Sequence, residues 1–355
     1  MPHAPDQQPK ILIVGAGAMG VVTGYHLDLA GAAVTFLVRP HRLPALQRPQ
    51  VLYAYDDGGL KTFAGYDCIT TTDALTYGRF DYVLLTLDGV ALRSPEGVSL
   101  IEAIGAGARD TPTKVIIGTI GVGLKPWFMR LSGLAEDQVF NGAMSIMAYS
   151  PASVSLPLHP PTNAARLAQA DLAYVYAGEQ GFIVDDSAAR AAHRFSEIYN
   201  RCGASTCEVR PAAAFATSIP ALFPVFTASD VMGWPRAEEL GGDRELWALT
   251  TEAVREIQDL GSHEEQNTTT QGVTTGQSLI DMWKAWEAAT LPMDLQAFNR
   301  FHHGGKVNAQ DQQLLLDCVA AGQAIGQPMK ALQTLVERAT AHRSKVVATD
   351  SSEAP

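Results

Sequence analysis

The sequence has little of several features that mark large classes of proteins. Its 355 residues include only four cysteines, and no two of them form a CxxC pair, which argues against a disulfide framework or a cysteine zinc site. Charged residues make up 18%, acidic residues outnumber basic ones by 37 to 26, and no long basic run occurs, so a nucleic-acid partner is not expected. The sequence also lacks a long uncharged apolar run and an apolar core in its first ten residues. We therefore expect a cytoplasmic protein without a membrane segment or signal peptide.

The most informative motif that is present is a glycine-rich loop near the N-terminus. The apolar run Ile11–Val14 is typical of a buried parallel strand, and helical spacing resumes after the glycines. In a strand–loop–helix unit the first glycine allows the tight turn, the second lets a pyrophosphate approach, and the third lets the helix pack closely. The motif predicts a dinucleotide-binding loop, with a tight turn that binds no ligand as the alternative. Its residues are Gly15, Ala16, Gly17, Ala18, Met19 and Gly20.

The end of the second predicted strand indicates which dinucleotide is bound. NAD sites usually have Asp or Glu there, whereas an arginine accommodates the 2′-phosphate of NADP. This chain has Val38 followed by Arg39, with Arg42 close by. The sequence therefore favours NADP as the cofactor. The alternative is that Arg39 is an ordinary solvated surface charge.

Alternating strand and helix patterns continue through the first half of the chain. Strands are predicted at 80–87, 114–120 and 171–179, and strand patterns are expected to stop at about residue 188. The remainder shows helical spacing. We predict an α/β fold with a Rossmann dinucleotide-binding domain at 8–207, an all-α C-terminal domain at 208–345, and a disordered tail at 346–355. The polar stretch 261–279 is interpreted as a solvent-exposed connection, or alternatively as a lid or dimer contact. No metal site is expected, because His263, Glu264 and Glu265 lack the spacing of ligands on one helix face.

With these elements in order, the chain resembles the ketopantoate reductase family, which reduces a 2-oxo acid with NADPH. The resemblance rests on the "GAGAMG" loop, Arg39, a Rossmann half of about 200 residues, and an all-helical half that ends in "GQPMKAL". It implies a C-terminal domain of the 6-phosphogluconate dehydrogenase-like type, a small-molecule substrate in an interdomain cleft, and a homodimer. It also implies cofactor contacts from Leu87, Ile120 and Gly121.

Several positions depart from the pattern of this family. Asp88 follows the third predicted strand, where the family has a lysine, and Ile120 replaces an asparagine near the nicotinamide. The resemblance places the general-acid lysine and two asparagines of the family, on the first helix of the second half, at Val209, Ala213 and Thr217. Side chains that donate and accept hydrogen bonds are thereby lost at most of these positions.

A glutamate of the family corresponds to Asn308, which lies in the polar stretch "RFHHGGKVNAQD". We predict that His303 or Lys306 supplies the proton, with Asn308 and Thr217 as further catalytic residues. The alternative is that this stretch is a polar helix–loop junction. Three functions stay open: an NADP-dependent oxidoreductase acting on another carbonyl or hydroxy compound, a genuine 2-dehydropantoate 2-reductase, and a non-catalytic NADPH-binding or sensing protein.

Overall fold

The computed structural model of the protein describes residues 8–73, 75, 80–260 and 274–352. The chain divides into two compact units, residues 1–212 and 213–355. This division lies a few residues beyond the boundary that the sequence suggested, between 207 and 208. The first unit is mixed α/β and the second is helical, which confirms the predicted fold class.

The strands of the first unit are short, and most are buried. Their bounds are β1 Lys10–Val14, β2 Ala33–Leu37, β3 Gln50–Ala54, β4 Gly59–Phe63, β5 Tyr66–Ile69, β6 Tyr82–Leu85, β7 Lys114–Ile117, β8 Val139–Met144, β9 Ile146–Tyr149, β10 Leu172–Tyr176, β11 Gln180–Asp185 and β12 Thr206–Arg210.

The larger sheet has the strand order β12-β11-β8-β7-β6-β1-β2-β5. Its pairs are parallel except β11 with β8. Strands β2 and β6 lie on opposite sides of β1, so the strand order reverses at β1. In open α/β sheets ligands bind outside the carboxyl ends of the strands at such a reversal. The glycine loop follows β1 and therefore lies at that place.

The helices of the first unit cover the larger sheet, and those of the second unit pack on one another. Their bounds are α1 Ala18–Leu29, α2 Leu43–Leu46, α3 Gly89–Arg93, α4 Pro95–Ala108, α5 Leu124–Ser132, α6 Ala164–Leu167, α7 Ala189–Asn200, α8 Ala212–Ser218, α9 Phe223–Val231, α10 Arg244–Asp259, α11 Gly276–Thr290, α12 Leu295–Phe301, α13 Asn308–Ala324 and α14 Lys330–Ser352.

Residues of β1 contribute to the core on both faces of the sheet. Ile11 and Ile13 belong to one buried apolar cluster, while Leu12 and Val14 belong to another. Because successive side chains of a strand point to opposite faces, the continuous run "ILIV" is what a strand covered on both sides needs. The hydrophobic run at the start of the sequence is therefore explained by the position of β1 inside the sheet.

A second, smaller sheet in the same unit has the order β4-β3-β10-β9. Strand β3 pairs with β10 in parallel, although Val51 and Asp171 are 120 residues apart in sequence. Asp171 accepts a hydrogen bond from the Val51 amide at 2.8 Å and bonds both guanidinium nitrogens of Arg48. The sequence analysis predicted β10 but not the other strands of this sheet.

The strands do not stop near residue 188, and that expectation was wrong. Strand β12, residues 206–210, pairs in parallel with β11 at the edge of the larger sheet. Val209 lies on this strand and not on the first helix of the second half, where the resemblance had placed it. Arg210 bonds Glu208 of the same strand at 2.9 Å, so it serves the sheet edge as an ordinary surface ion pair.

The second unit is a helical assembly whose core holds large apolar side chains. Phe226, Trp247 and Trp283 are nearly buried, and Leu332 and Leu335 of α14 are fully buried. Helix α14 continues to residue 352, across much of the segment 346–355 for which a disordered tail was expected. Of the polar stretch 261–279, residues 261–273 lie outside the described residues, and α11 begins at residue 276.

One helical segment of the described chain, Ala212–Val231, is long and apolar enough to cross a membrane by length and composition. More than half of its apolar window is buried inside the protein, and buried core helices pass the same test.

Candidate functional site

The glycine loop has the geometry that a dinucleotide-binding turn requires. Gly15 has a φ of +102°, which side chains rarely adopt, and its amide donates to the Leu37 carbonyl of β2 at 3.0 Å. A Cβ atom at Gly20 would lie 2.8 Å from the Gly15 carbonyl oxygen, so only glycine allows α1 to approach the loop this closely. Gly17, the N-cap of α1, has open space around it. Gly15 and Gly20 thus have the turn and packing roles that the motif predicted, and the space around Gly17 is compatible with the approach of a pyrophosphate.

None of the described side chains caps the first turn of α1. The N-cap is a glycine, and no side-chain oxygen accepts from the first amides of this helix. The first four amides of a helix lack partners within the helix, and the N-terminal end has a partial positive charge. This end of α1 is therefore suited to a phosphate group. Ala16 is buried, Ala18 and Met19 are half-buried, and Gly17 is exposed.

Two threonines, which the sequence analysis did not single out, connect the ends of neighbouring strands. The Thr86 hydroxyl, directly after β6, donates to the Val14 carbonyl at 2.9 Å and lies 3.2 Å from that of Gly15. The Thr119 hydroxyl, after β7, donates to the Leu87 carbonyl at 2.5 Å. The predicted contacts Leu87, Ile120 and Gly121 therefore lie at the same carboxyl edge of the sheet as the glycine loop. No sequence signal distinguished these threonines from other surface hydroxyls.

The two arginines beyond β2 are exposed, and one of them is tied to the loop. The Arg42 guanidinium donates to the Ala16 carbonyl at 3.3 Å, while Arg39 precedes the short helical turn Pro40–Arg42. A backbone hydrogen bond, the Ser94 hydroxyl and the charge of Arg39 together hold the pKa of the Glu96 carboxyl below its ordinary value. The positive charge of Arg39 is therefore partly offset by an acidic neighbour.

Glu96 also lines a cavity of about 410 Å³. Its other lining residues are Thr72, Pro95, Ser99 and Leu100. The backbone amide of Val38 at the end of β2 donates to Ile69 of β5, which brings the residues after both strands to one place. The cavity thus lies on the side of the sheet where Arg39 and Glu96 are found.

Asp88 has a local structural role that explains an acid at this position. It is the N-cap of α3, and its carboxylate accepts from the Ala91 amide at 2.7 Å. Asp is among the best residues for this role, and an N-terminal helix end favours negative charge. A helix cap thus stands at the position for which the resemblance implies a lysine.

In the second unit, His303 lies in a compact cluster of aromatic and charged side chains. Its Nδ1 atom is 2.8 Å from Oδ2 of Asp311, and its ring stacks on Phe226 at 3.7 Å between ring centroids with 13° between the planes. The ring of Phe223 packs edge-to-face with the imidazole, with 5.9 Å between the ring centroids. The side chain of His303 is 14% exposed and that of Asp311 is 6% exposed, so the pair is mostly but not completely closed off from water.

The backbone around His303 forms a single π-helical turn, His302–Lys306. Such turns are rare and occur frequently at functional sites. The Arg343 guanidinium donates to the Gly304 carbonyl at 2.9 Å and to the Asp230 carboxylate, and the Asn308 amide donates to the His303 carbonyl at 2.9 Å. Side chains from three helices, α9, α13 and α14, are therefore involved in holding this turn.

Burial shifts the acid–base behaviour of the cluster. It lowers the pKa of His303 to about 3. It also lowers the pKa of His302 well below its ordinary value, and the positive charge of Lys306 adds to the shift of His302. Burial raises the pKa of the Asp311 carboxyl to about 8, although the positive charge of Arg343 opposes that shift. A carboxyl with a raised pKa next to a histidine is an arrangement capable of proton transfer near neutral pH.

The structure brings some of the predicted catalytic residues together and leaves others apart. His303 and Asn308 are joined by the hydrogen bond above, whereas Lys306 is exposed on the same turn. Thr217 lies on α8, where its hydroxyl is within 3.4 Å of the Ala213 carbonyl, and no hydrogen bond between described residues links it to His303. Asp311 was part of the polar stretch but received no role, because residues eight positions apart in a regular α-helix are separated by about 12 Å along its axis.

Comparison with known structures first defines the class of fold. The structure of 2-dehydropantoate 2-reductase from Geobacter metallireducens GS-15 superimposes with a TM-score of 0.66 at 16% identity, covering 93% of this chain and 99% of that one. The corresponding enzyme from Methylococcus capsulatus gives 0.64 at 14% identity, with coverages of 97% and 98%. The ternary structure of D-mandelate dehydrogenase with NADH and anilino(oxo)acetate gives 0.66 at 14% identity, with coverages of 95% and 98%. The chain therefore has this two-unit fold, a Rossmann-like sheet followed by a helical region.

The family is indicated by the sequence itself. Residues 11–92 match the family model of ketopantoate reductase PanE/ApbA. This match spans the glycine loop, Arg39 and the third strand of the parallel series, β6. No curated protein matches the sequence. The family model and the shared fold together confirm the resemblance to ketopantoate reductases that the sequence suggested.

Proposed function

We propose that this protein is an oxidoreductase that uses NADP(H) to interconvert a carbonyl and a hydroxy group on a small-molecule substrate. The observation that carries the proposal is the glycine loop. Gly15 makes the tight turn, Gly20 admits the helix, and the uncapped amides of α1 are available for a pyrophosphate. When bound, the nicotinamide supplies or accepts a hydride, and the protein supplies orientation and the accompanying proton.

The preference for the phosphorylated cofactor is supported by the charges after β2. Arg39 and Arg42 are exposed there, and no acidic residue takes the position that would bind the ribose 2′-hydroxyl of NAD. Glu96 lies close enough to Arg39 for their charges to interact, so the proposed preference for NADP is moderate rather than absolute.

The proposed substrate is a carbonyl or hydroxy compound other than ketopantoate. A reduction by hydride needs a proton donor and polar groups that bind the developing alkoxide. Ile120 and Asn308 stand where the resemblance implies an asparagine and a glutamate of the family, and Val209, the position it implied for the lysine, lies on β12 and has no proton to donate. We propose that the proton donor and the polar groups that bind the alkoxide are found among His303, Lys306, Asn308 and Thr217. Structures of similar fold include a reductase of one 2-oxo acid and a D-mandelate dehydrogenase, so 2-oxo acids are the first class to test.

The test begins with binding and continues with turnover. NADPH and NADH are titrated against the protein by fluorescence, and the absorbance of the reduced cofactor is then followed with ketopantoate, 2-oxoisovalerate, benzoylformate and simple ketones. We expect submillimolar binding of NADPH and oxidation with at least one compound other than ketopantoate. Binding of neither cofactor would refute the proposal. Tight NADPH binding without any turnover would support the sensing function, and rapid turnover of ketopantoate would identify a genuine 2-dehydropantoate 2-reductase.

We further propose that the protein acts in the cytoplasm as a homodimer. All four cysteines are free in the structure, in keeping with a reducing compartment. The dimer is proposed from the family resemblance and is tested by light scattering on the purified protein. A mass close to 38.0 kDa would identify a monomer.

A further inference from the structure

We propose that Asp311 and His303 form a proton-donating pair, in which Asp311 positions the imidazole and the Nε2 nitrogen of His303 gives a proton to the substrate oxygen. This inference rests on the proposed function and selects His303 from the candidate residues. It also adds Asp311, which neither the sequence nor the resemblance identifies. In this assignment His303 is the catalytic residue and Asp311 is a positioning residue.

The first argument is that the imidazole is fixed in one orientation. Stacking on Phe226 and edge contact with Phe223 restrict the ring plane, while Nδ1 lies 2.8 Å from the Asp311 carboxyl. The described residues offer no hydrogen-bond partner to Nε2, which is therefore the ring nitrogen left for a ligand. A ring held by packing on its faces and by a hydrogen bond at one nitrogen loses little freedom when it meets a substrate.

The second argument concerns the rigidity of the turn that bears His303. The ring of Trp234 packs so closely on Gly304 that a Cβ atom there would lie 2.9 Å from the indole nitrogen. The same nitrogen donates to Asp230 at 3.1 Å, and Asp230 also accepts from Arg343. Neither Arg343 nor Asp230 hydrogen-bonds to the imidazole itself, so their role is to hold the backbone.

The third argument is the hydrogen-bonding state of Asp311. Its Oδ1 atom is buried and has no hydrogen-bond partner among the described residues. Leaving a charged carboxylate oxygen buried and unpaired is costly, whereas the carbonyl oxygen of a neutral carboxylic acid costs much less. The geometry therefore favours a protonated Asp311 whose Oδ2 hydrogen is donated to Nδ1, consistent with the direction in which burial shifts the pKa of this carboxyl.

In this state Nε2 must carry a hydrogen. Neutral imidazole has one N–H group, and when Nδ1 accepts from Asp311 that group is at Nε2. If the proton shared with Asp311 moves to Nδ1, an imidazolium beside a carboxylate results, and Nε2 still has its hydrogen. Both arrangements thus present the same donor to a substrate.

The proton transfer balances without a further reactant. When a carbonyl is reduced, its C–O double bond becomes a single bond, and its oxygen would take the proton from Nε2 of His303. The Asp311 proton passes to Nδ1, which leaves a neutral imidazole hydrogen-bonded to a carboxylate. Solvent then restores one proton to the pair, and the reverse sequence serves oxidation of an alcohol. Without the carboxyl proton, the same step would produce an imidazolate, which is strongly unfavourable.

The charged neighbours of the pair set the direction of its pH dependence. Arg343 of α14 opposes protonation of Asp311, Asp230 of α9 pairs with that arginine, and His302 and Lys306 lie on the turn itself. Burial outweighs the effect of Arg343. The proton-donating form is therefore present below about pH 8 and is lost as the pH rises further.

The test compares Asp311→Asn with Asp317→Asn. Asp317 lies on the same helix, where it accepts from Gln313 at 2.8 Å, and is the matched control. NADPH and NADH binding and reduction of benzoylformate, 2-oxoisovalerate and ketopantoate are measured from pH 5 to 9. Asp311→Asn should lower kcat about 100-fold with little change in KM or cofactor affinity, as expected for impaired general-acid catalysis. It should also abolish the decline above pH 8, while Asp317→Asn should behave as wild type.

A second measurement does not depend on the variant folding or on turnover. Nitrogen-15 NMR of the histidine-labelled wild-type chain, with the His303 signals assigned through His303→Gln, should show a protonated Nε2 between pH 6 and 8. An unprotonated Nε2 would overturn the proposal, as would wild-type kcat and pH profile in Asp311→Asn. Wild-type turnover in Asp311→Asn would count against the proton-donating pair alone, whereas cofactor binding without turnover of any carbonyl compound would count against the oxidoreductase as well. Failure to bind either cofactor would instead refute the proposed function.

Discussion

Alanine at Gly20 and alanine at Gly17 should damage the protein in different ways. A Cβ atom at Gly20 would lie 2.8 Å from the Gly15 carbonyl oxygen and 2.9 Å from the Thr86 hydroxyl, and the carbonyl belongs to a turn that cannot easily shift. Overpacking of this kind costs about 1–3 kcal/mol, and the better helix propensity of alanine returns about 1 kcal/mol. The difference is about 0–2 kcal/mol, so we expect Gly20→Ala to lower the free energy of unfolding by about 1 kcal/mol.

Gly17 offers the opposite case. A Cβ atom there meets nothing within 4 Å, and its φ of −74° is open to any residue. If a pyrophosphate approaches this backbone, the added methyl group meets the ligand instead of the protein. We expect Gly17→Ala to weaken NADPH binding at least 10-fold, about 1.4 kcal/mol, while the loss of stability of the ligand-free protein is limited to the poorer N-cap that alanine provides.

The assay combines urea unfolding of the ligand-free protein with NADPH titration. Alanine is a poor N-cap residue, so Gly17→Ser is the matched control, since serine caps helices well but still introduces a Cβ atom. Both Gly17 variants should bind NADPH weakly. The reasoning fails if Gly17→Ser binds NADPH as the wild type does, or if Gly20→Ala is as stable as the wild type.

Four further predictions concern charged or titratable groups and substrate specificity. Arg39→Ala should weaken NADP binding by about 1–3 kcal/mol with little effect on NAD binding. Glu96→Gln should strengthen NADP binding. If titrations show equal changes in NADP and NAD affinity for either variant, the prediction for that variant is wrong. Burial lowers the pKa of His26 from 6.5 to about 3, so the stability that its neutral form provides is complete above about pH 6.5 and is lost as the pH falls towards 3. When the pH is lowered from 7 to 5, the free energy of unfolding measured with urea should fall by about 2 kcal/mol less in His26→Gln than in the wild type. Equal decreases in the two proteins would refute this. Ketopantoate should not be a good substrate, and turnover of about 10 per second in a spectrophotometric assay would show otherwise.

Much of the first unit could be predicted because its signals are local. The run "ILIV", the three glycines and Arg39 lie within 30 residues of one another, and each has a physical role that depends on its immediate neighbours. The smaller sheet could not be predicted in the same way. Its strands β3 and β10 are short and pair across a long stretch of sequence, and such pairing depends on tertiary contacts rather than on local pattern. Strand β12 was missed for a related reason, since it completes a sheet edge with only five residues.

The candidate site shows the same division. His303 could be proposed from the sequence because two adjacent histidines beside two glycines are unusual. Its connection to Asp311 depends on a π-helical turn, which no residue pattern in the stretch specifies, and on stacking against Phe226, which lies far away in sequence. The cap role of Asp88 could have been recognised, because an aspartate directly before a helical segment is a common N-cap.

The smaller sheet also constrains the order in which the chain can fold during synthesis. Strand β3 finds its parallel partner β10 only after the intervening residues have been made, and the contact between Val51 and Asp171 spans 120 residues. At about 5–20 residues per second, the ribosome needs about 6–24 s to supply them. During that interval the hairpin of β3 and β4 exposes an unpaired edge, which can pair with other chains. Premature termination before β10 should therefore yield aggregating fragments, and chaperone binding during translation should be concentrated on the first half of the protein.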